Sequence, residues 1–170
     1  MRIALCTDGV HPHAMGGMQR HSRLLAEHLA NIGEVQLTVI HPHAGTVFDP
    51  ALGITEVRIP PIDTDKFYLG ELWRYSARVE AKLQELHPDV VLSQGFSVWK
   101  GIGRLRGRVI MHPHGLEMFQ GLMVRERLMG APFRWAVRYI ARKSATVISL
   151  GGKLTGILEE QVKRSDCLVV

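Results

Sequence analysis

The sequence predicts an α/β fold, a doubly wound parallel sheet of about seven strands, from two observations. Short apolar runs rich in β-branched residues recur along the chain, reading as strands buried on both faces. Between them lie amphipathic stretches with apolar residues at three- and four-residue steps, which reads as helices covering the sheet.

The first strand is RIALCT, Arg2 to Thr7. A helix over Gly17 to Ile32 then sets Met18, His21, Leu25, Leu29 and Ile32 on one stripe and ends at Gly33, a residue suited to the left-handed position after a helix. VQLTVI (Val35 to Ile40) and TEVRI (Thr55 to Ile59) supply the next two strands. A second helix from about Lys66 to Leu86 carries Leu69, Leu72, Trp73, Ser76, Val79, Leu83 and Leu86 toward the core. It stops before His87-Pro88, because a proline disfavours helical backbone in the residue preceding it. DVVLS (Asp89 to Ser93) and RVIMH (Arg108 to His112) are strands, and Pro132 suits the first turn of a third helix ending at Lys143. Its Phe133, Ala136, Val137 and Ile140 are expected to face the core. TVIS (Thr146 to Ser149) and CLVV (Cys167 to Val170) complete the set.

At 170 residues, 46% hydrophobic and 22% charged, the chain can bury the core of one domain, and no linker divides it. No apolar run is long enough to cross a bilayer, and Ile3 to Cys6 is too short for a signal-peptide core, so a soluble, cytoplasmic protein is expected. Cys6 and Cys167 lie in apolar runs without CxxC spacing and read as reduced core residues.

Three His-Pro-His triplets, at 11–13, 41–43 and 112–114, hold six of the nine histidines. Each follows a strand, at the carboxyl edge where open α/β sheets bind ligands. The proline favours extended backbone in the first histidine, and the two rings of one triplet are expected to diverge. With no Cys or carboxylate at ligand spacing, no metal site and no cofactor are expected, and most of the six read as turn residues. Gly16-Gly17 reads differently. Helix starts usually carry a Ser, Thr, Asp or Asn cap, whereas two glycines leave the first amides bare and let an anionic group approach the backbone. Neither GxGxxG nor GxxxxGK[ST] is present, so this is a phosphate site on physical grounds rather than a dinucleotide fingerprint or P-loop.

The longer string GGMQRHSRLLAEHLANIG resembles the first strand-to-helix segment of the family 4 glycosyltransferases. HPDVVLSQGF, RVIMHPHGLE and SATVISLGGKLTGIL are similar to later landmarks of that family, in the same order. The resemblance implies a Rossmann-like domain, the amino-terminal half of a GT-B fold, whose carboxyl-terminal donor domain with its Glu-x7-Glu motif would follow; the chain reads as that one domain, inactive alone. It implies a retaining enzyme that moves a sugar from a nucleotide-diphosphate sugar to a glycan, lipid-linked or lipopolysaccharide-type acceptor. Carried onto this sequence, Gly16 and Gly17 would meet the donor diphosphate, and His114 would reach the reacting centre as the catalytic residue. Gln19, Arg20, His13, Gln94 and Glu117 would face the acceptor. His112 competes with His114 for the catalytic role, and the match of His-Gly favours His114.

The formal charge of +5 is concentrated late in the chain. Arg104, Arg106, Arg108, Arg125, Arg127, Arg134, Arg138, Arg142 and Lys143 face only Glu117 and Glu126 between positions 104 and 143. Arg134, Arg138 and Arg142 share one helical face that can rest on an anionic membrane surface, giving a peripheral location at its inner side. No nucleic-acid partner is expected, because no RNA- or DNA-binding motif accompanies the basic stretch. A nonenzymatic, flavodoxin-like binding or regulatory domain is the alternative reading.

Overall fold

The structure is a computed structural model that describes residues 1–105 and 107–170; Arg106 of the basic stretch lies outside the described residues. Seven strands form one sheet: β1 (Arg2–Cys6), β2 (Gln36–His41), β3 (Thr55–Arg58), β4 (Val90–Gln94), β5 (Val109–His112), β6 (Thr146–Ser149) and β7 (Leu168–Val169). Their order is β3-β2-β1-β4-β5-β6-β7, and every pairing is parallel. Each predicted strand is present, with no end shifted by more than one residue.

The helices α1 (Gly17–Ile32), α2 (Tyr68–Leu86), α3 (Val124–Lys143) and α4 (Gly152–Ile157) cover the sheet, and α4 runs into a π-helical turn at Leu158–Val162. Alternation along β1 assigns the faces. Ile3 and Leu5 join Leu37, Val39 and the Ala26 of α1 in one core cluster. Ala4 and Cys6 join Val91, Val109 and Met111 in the other, against Tyr75 and Val79 of α2 and Ile140 of α3. Each fully buried Val, Leu or Ile contributes about 1.5–3 kcal/mol of transfer free energy, so both layers are needed.

Three expectations about helices change. The third helix begins at Val124 and encloses Pro132, because the Glu126 carboxylate accepts the Leu122 and Met123 amides at 3.0 and 3.2 Å and so starts the helix earlier. The buried Gly130 eases the packing of α3 on the preceding turn, since a Cβ there would stand 3.0 Å from the Met118 carbonyl oxygen. Trp73 is exposed and meets Trp99 edge-on at 5.0 Å, since the buried stripe of α2 runs through Leu72, Tyr75, Ser76, Val79 and Leu83. On α1 the stripe centres on Ser22 and Ala26, leaving Ile32 exposed; the Ser22 hydroxyl is satisfied 3.1 Å from that of Thr7.

Both cysteines are free, Cys6 buried and Cys167 only half-buried, and burial pushes the Cys6 thiol far up. No helix among the described residues is long and apolar enough to cross a membrane.

Candidate functional site

Strand order reverses direction between β1 and β4, which opens a crevice beyond their carboxyl ends. The start of α1 points into it. Gly16 is the N-cap and no side chain caps the helix; the first helical bond runs from the Arg20 amide to the Gly16 carbonyl at 3.1 Å. The amides of Gly17, Met18 and Gln19 therefore precede the helical ladder, and the helix dipole adds positive potential there. Gly16 has φ +149°, and a Cβ on it would collide with the Gln19 side chain, so the turn requires glycine. At Gly17 a Cβ would meet nothing within 4 Å.

A cavity of about 630 Å³ lies at this edge, lined by Asp8, Gly17, Gln19, His21, His114 and Glu117 among others. Asp8 follows β1, and burial raises its carboxyl above the usual range; the Gln19 amide, 3.5 Å away, partly opposes this. Glu117 folds back over Gly115, where a Cβ would strike its carboxylate. Burial, with smaller contributions from His112 and His21, holds His114 down at about 3; burial and then His21 hold His112 at about 4. Burial lowers His21 as well. All three rings are neutral near pH 7.

These rings converge. The centroids of His112 and His114 are 4.1 Å apart, and His21 stands 4.5 Å from His112 and 4.9 Å from His114. The expected divergence within a triplet fails here for a simple reason: residues i and i+2 of an extended chain point to the same face. The second triplet does not diverge either, with ring centroids 5.7 Å apart for His41 and His43.

Of the residues singled out in the sequence, Gly17, Gln19, His114 and Glu117 line one cavity, and Gly16 caps the helix beside it. Gln94 changes role. It is 1% exposed, and its amide oxygen meets His114 Nε2, so it holds the ring rather than an acceptor. Arg20 is exposed and outside the cavity lining; His13 is exposed and packs on His43 at 5.3 Å. Sequence reasoning missed Asp8 and His21. Asp8 sits just past β1 at the ligand-binding edge, a position that the strand assignment itself offered, whereas His21 was absorbed into the apolar stripe of α1.

Both rings of the second triplet are engaged. His41 is 1% exposed; its Nε2 lies 2.9 Å from Glu56 and its Nδ1 accepts the His43 amide at 3.2 Å. His43 Nε2 accepts the Val10 amide at 2.8 Å. Glu56 also takes the amides of Val47 and Phe48, so this triplet ties loops together.

The basic helix face is revised too. Arg134 donates to the carbonyls of Met118 and Arg127 at 2.8 and 2.6 Å, and Arg138 to that of Gln161 at 2.9 Å while lying over the Phe119 ring. Two of the three arginines thus brace the fold, and Arg142 alone is exposed. Exposed apolar residues gather instead at the start of α3, where Leu122, Met123, Val124, Leu128 and Met129 flank exposed Arg125 and Arg127.

Fold and crevice together define a Rossmann-like α/β domain with an uncapped helix start at its switch point. Residues 15–170 match Glycosyltransferase Family 4, and the chain belongs to that family. No curated protein matches the sequence. Among solved structures, sucrose-phosphate synthase from Thermosynechococcus elongatus is similar with a TM-score of 0.74 and 17% identity, over 99% of this chain and 47% of that one. WaaG, a glycosyltransferase involved in lipopolysaccharide biosynthesis, is similar with a TM-score of 0.63 and 15% identity, over 94% and 41%. The UDP-N-acetylglucosamine 2-epimerase of Rickettsia bellii shares the fold with a TM-score of 0.58 and 15% identity, over 99% and 44%. The chain therefore spans less than half the length of these neighbours. The fold is that of GT-B amino-terminal domains.

Proposed function

We propose that the protein is a retaining glycosyltransferase, with this chain as its acceptor-side domain, that moves a sugar from a nucleotide-diphosphate sugar to a glycan or lipid-linked acceptor. One observation carries the reading: the uncapped α1 start and the neutral His114 ring share one cavity at the sheet's switch point. The free amides of Gly17, Met18 and Gln19 donate to the diphosphate, and as negative charge builds on the leaving group these fixed donors stabilise it. A neutral His114, oriented by Gln94, offers one hydrogen bond to a sugar hydroxyl. Asp8, Gln19 and Glu117 contribute polar groups that an acceptor hydroxyl can meet. No side chain is assigned as nucleophile.

Two structural neighbours support the ligand classes, since one is named for UDP-N-acetylglucosamine and the other for lipopolysaccharide biosynthesis. For a lipid-linked acceptor, the apolar residues and arginines at the start of α3 suit an anionic membrane surface better than Arg134 and Arg138 do, because those two are committed to carbonyls.

The test is Gly17→Val in the full-length enzyme. A Cβ at position 17 would meet nothing within 4 Å among the described residues, so folding should be unchanged while a bound diphosphate is crowded. We expect the donor KM to rise about tenfold, equivalent to losing about 1.4 kcal/mol of contact, with the melting temperature held. An unchanged donor KM means that α1 does not hold the diphosphate.

A further inference from the structure

We infer that His21, His112 and His114 form a binding site for a nitrogen-preferring divalent transition ion such as zinc. The three residues offer ligand nitrogens that all lie within 4.8 Å of one another. Two imidazoles on one tetrahedral ion, each at 2.0–2.1 Å, stand about 3.3 Å apart, so a closing shift of up to about 1.5 Å completes the set. The ligands come from α1, from the end of β5 and from the loop beyond it, an arrangement that only the folded chain produces.

The second observation is His112 itself. It is 3% exposed, and neither of its ring nitrogens has a hydrogen-bond partner among the described residues. Buried imidazoles ordinarily satisfy at least one nitrogen, as both His41 and His43 do in the second triplet. An unused lone pair aimed into a group of other imidazoles suits a cation that accepts it. The Gln94 amide oxygen, meeting His114 Nε2, supplies the outer support that metal-binding histidines commonly have. Three neutral nitrogen ligands without thiolate or carboxylate favour zinc, cobalt or nickel over magnesium or calcium. They leave one position of a tetrahedral ion open. His21 and His114 both line the cavity, so an oxygen of an anionic ligand bound there can be the fourth donor.

The site shares His114 with the glycosyltransferase reading, but its test reads metal binding alone, so the two can fail separately. The full-length protein, stripped with a chelator, is titrated with zinc against a chromophoric competitor and with cobalt by visible absorption. We expect one equivalent per chain at micromolar affinity or tighter, with the intense visible bands of tetrahedral cobalt. His21→Ala, on the half-buried face of α1, should weaken zinc at least about tenfold, and His114→Ala likewise. His43→Ala, whose ring is already engaged, should leave binding unchanged and serves as the folded control. Substoichiometric zinc, a weak six-coordinate cobalt spectrum, or binding that survives both His21→Ala and His114→Ala would overturn the assignment.

Discussion

The tripeptide His-Pro-His occurs at 41–43 and again at 112–114, in each case running off the carboxyl end of a strand, yet the two copies do opposite work. In the first, His41 and His43 spend their ring nitrogens on Glu56 and on backbone amides, clasping the loops after β1 and β2. In the second, His112 has both nitrogens unpaired among the described residues and His114 reaches one glutamine, with His21 closing over them from α1. Position in the sheet accounts for the difference. The strand β2 lies toward one side, with Glu56 of β3 next to it to accept His41, whereas β5 lies beyond β4, beside the crevice into which α1 points. A side chain's chemistry is therefore set by what its neighbours leave unsatisfied, and it is the less satisfied copy whose His114 lines the cavity at the switch point.

Activity gives the widest separation. In the full-length enzyme, His114→Ala should lower kcat/KM by about 10², as when a positioned polar group acting in the transition state is removed. His43→Ala should change it by less than about twofold, because that ring faces the Val10 amide and not the cavity that His114 lines. Steady-state kinetics with one donor and acceptor decides it. Equal losses in the two variants would erase the distinction between the copies.

Stability should separate them in the opposite sense. His41→Leu strips a buried hydrogen-bond partner from the His43 amide and from Glu56, and should cost about 1–3 kcal/mol. His112→Leu replaces a ring whose nitrogens have no partner among the described residues with an apolar group, and in metal-free buffer should be within about 1 kcal/mol of neutral. Urea melts of the two variants at pH 7 measure both. A His112→Leu loss as large as that of His41→Leu means that the second ring is satisfied in solution.

Much of this was legible in the sequence, and the limits are physical. Strands announce themselves because burial on both faces demands continuous apolar runs, and Gly16-Gly17 was readable because a missing cap is a local fact. The convergence of His21 on His112 and His114 was not, since it depends on how α1 crosses the sheet, a tertiary quantity. Gln94 looked like a ligand-facing polar residue at a strand end; only packing shows it buried beneath His114. Likewise the spacing of Arg134 and Arg138 says that they share a face but cannot say that Met118 and Gln161 present carbonyls to them. Pro132 misled because local preference favours it at helix starts, while the Glu126 cap starts α3 before it.

Acid sensitivity should give the smallest effect and the finest resolution. His112 and His114 are held at about 4 and about 3 in the fold, against 6.5 for an ordinary histidine. Between these values the unfolded chain binds more protons than the folded one, so stability rises with pH through this window and levels off above about 6.5. His41 is also lowered by burial, but Glu56 pulls it back up, so the third triplet should dominate. Asp8 has the opposite sign: its carboxyl is raised, and the stability that it contributes is lost as pH rises through its folded value. The buried Glu71, the half-buried Asp63 and the exposed Asp89 are lowered, and the stability that they contribute starts to fall only as pH drops toward their unfolded values at the acid end of this range, equally in every variant compared. Melting temperatures taken from about pH 7.5 down to 4.5 with a chelator present should fall steadily below about 6.5. The double variant His112→Leu with His114→Gln should fall visibly less, and His41→Leu, though less stable throughout, should keep nearly the original slope. If the double variant keeps the wild-type slope and His41→Leu flattens it, the proton-sensitive copy is the clasp and not the cavity.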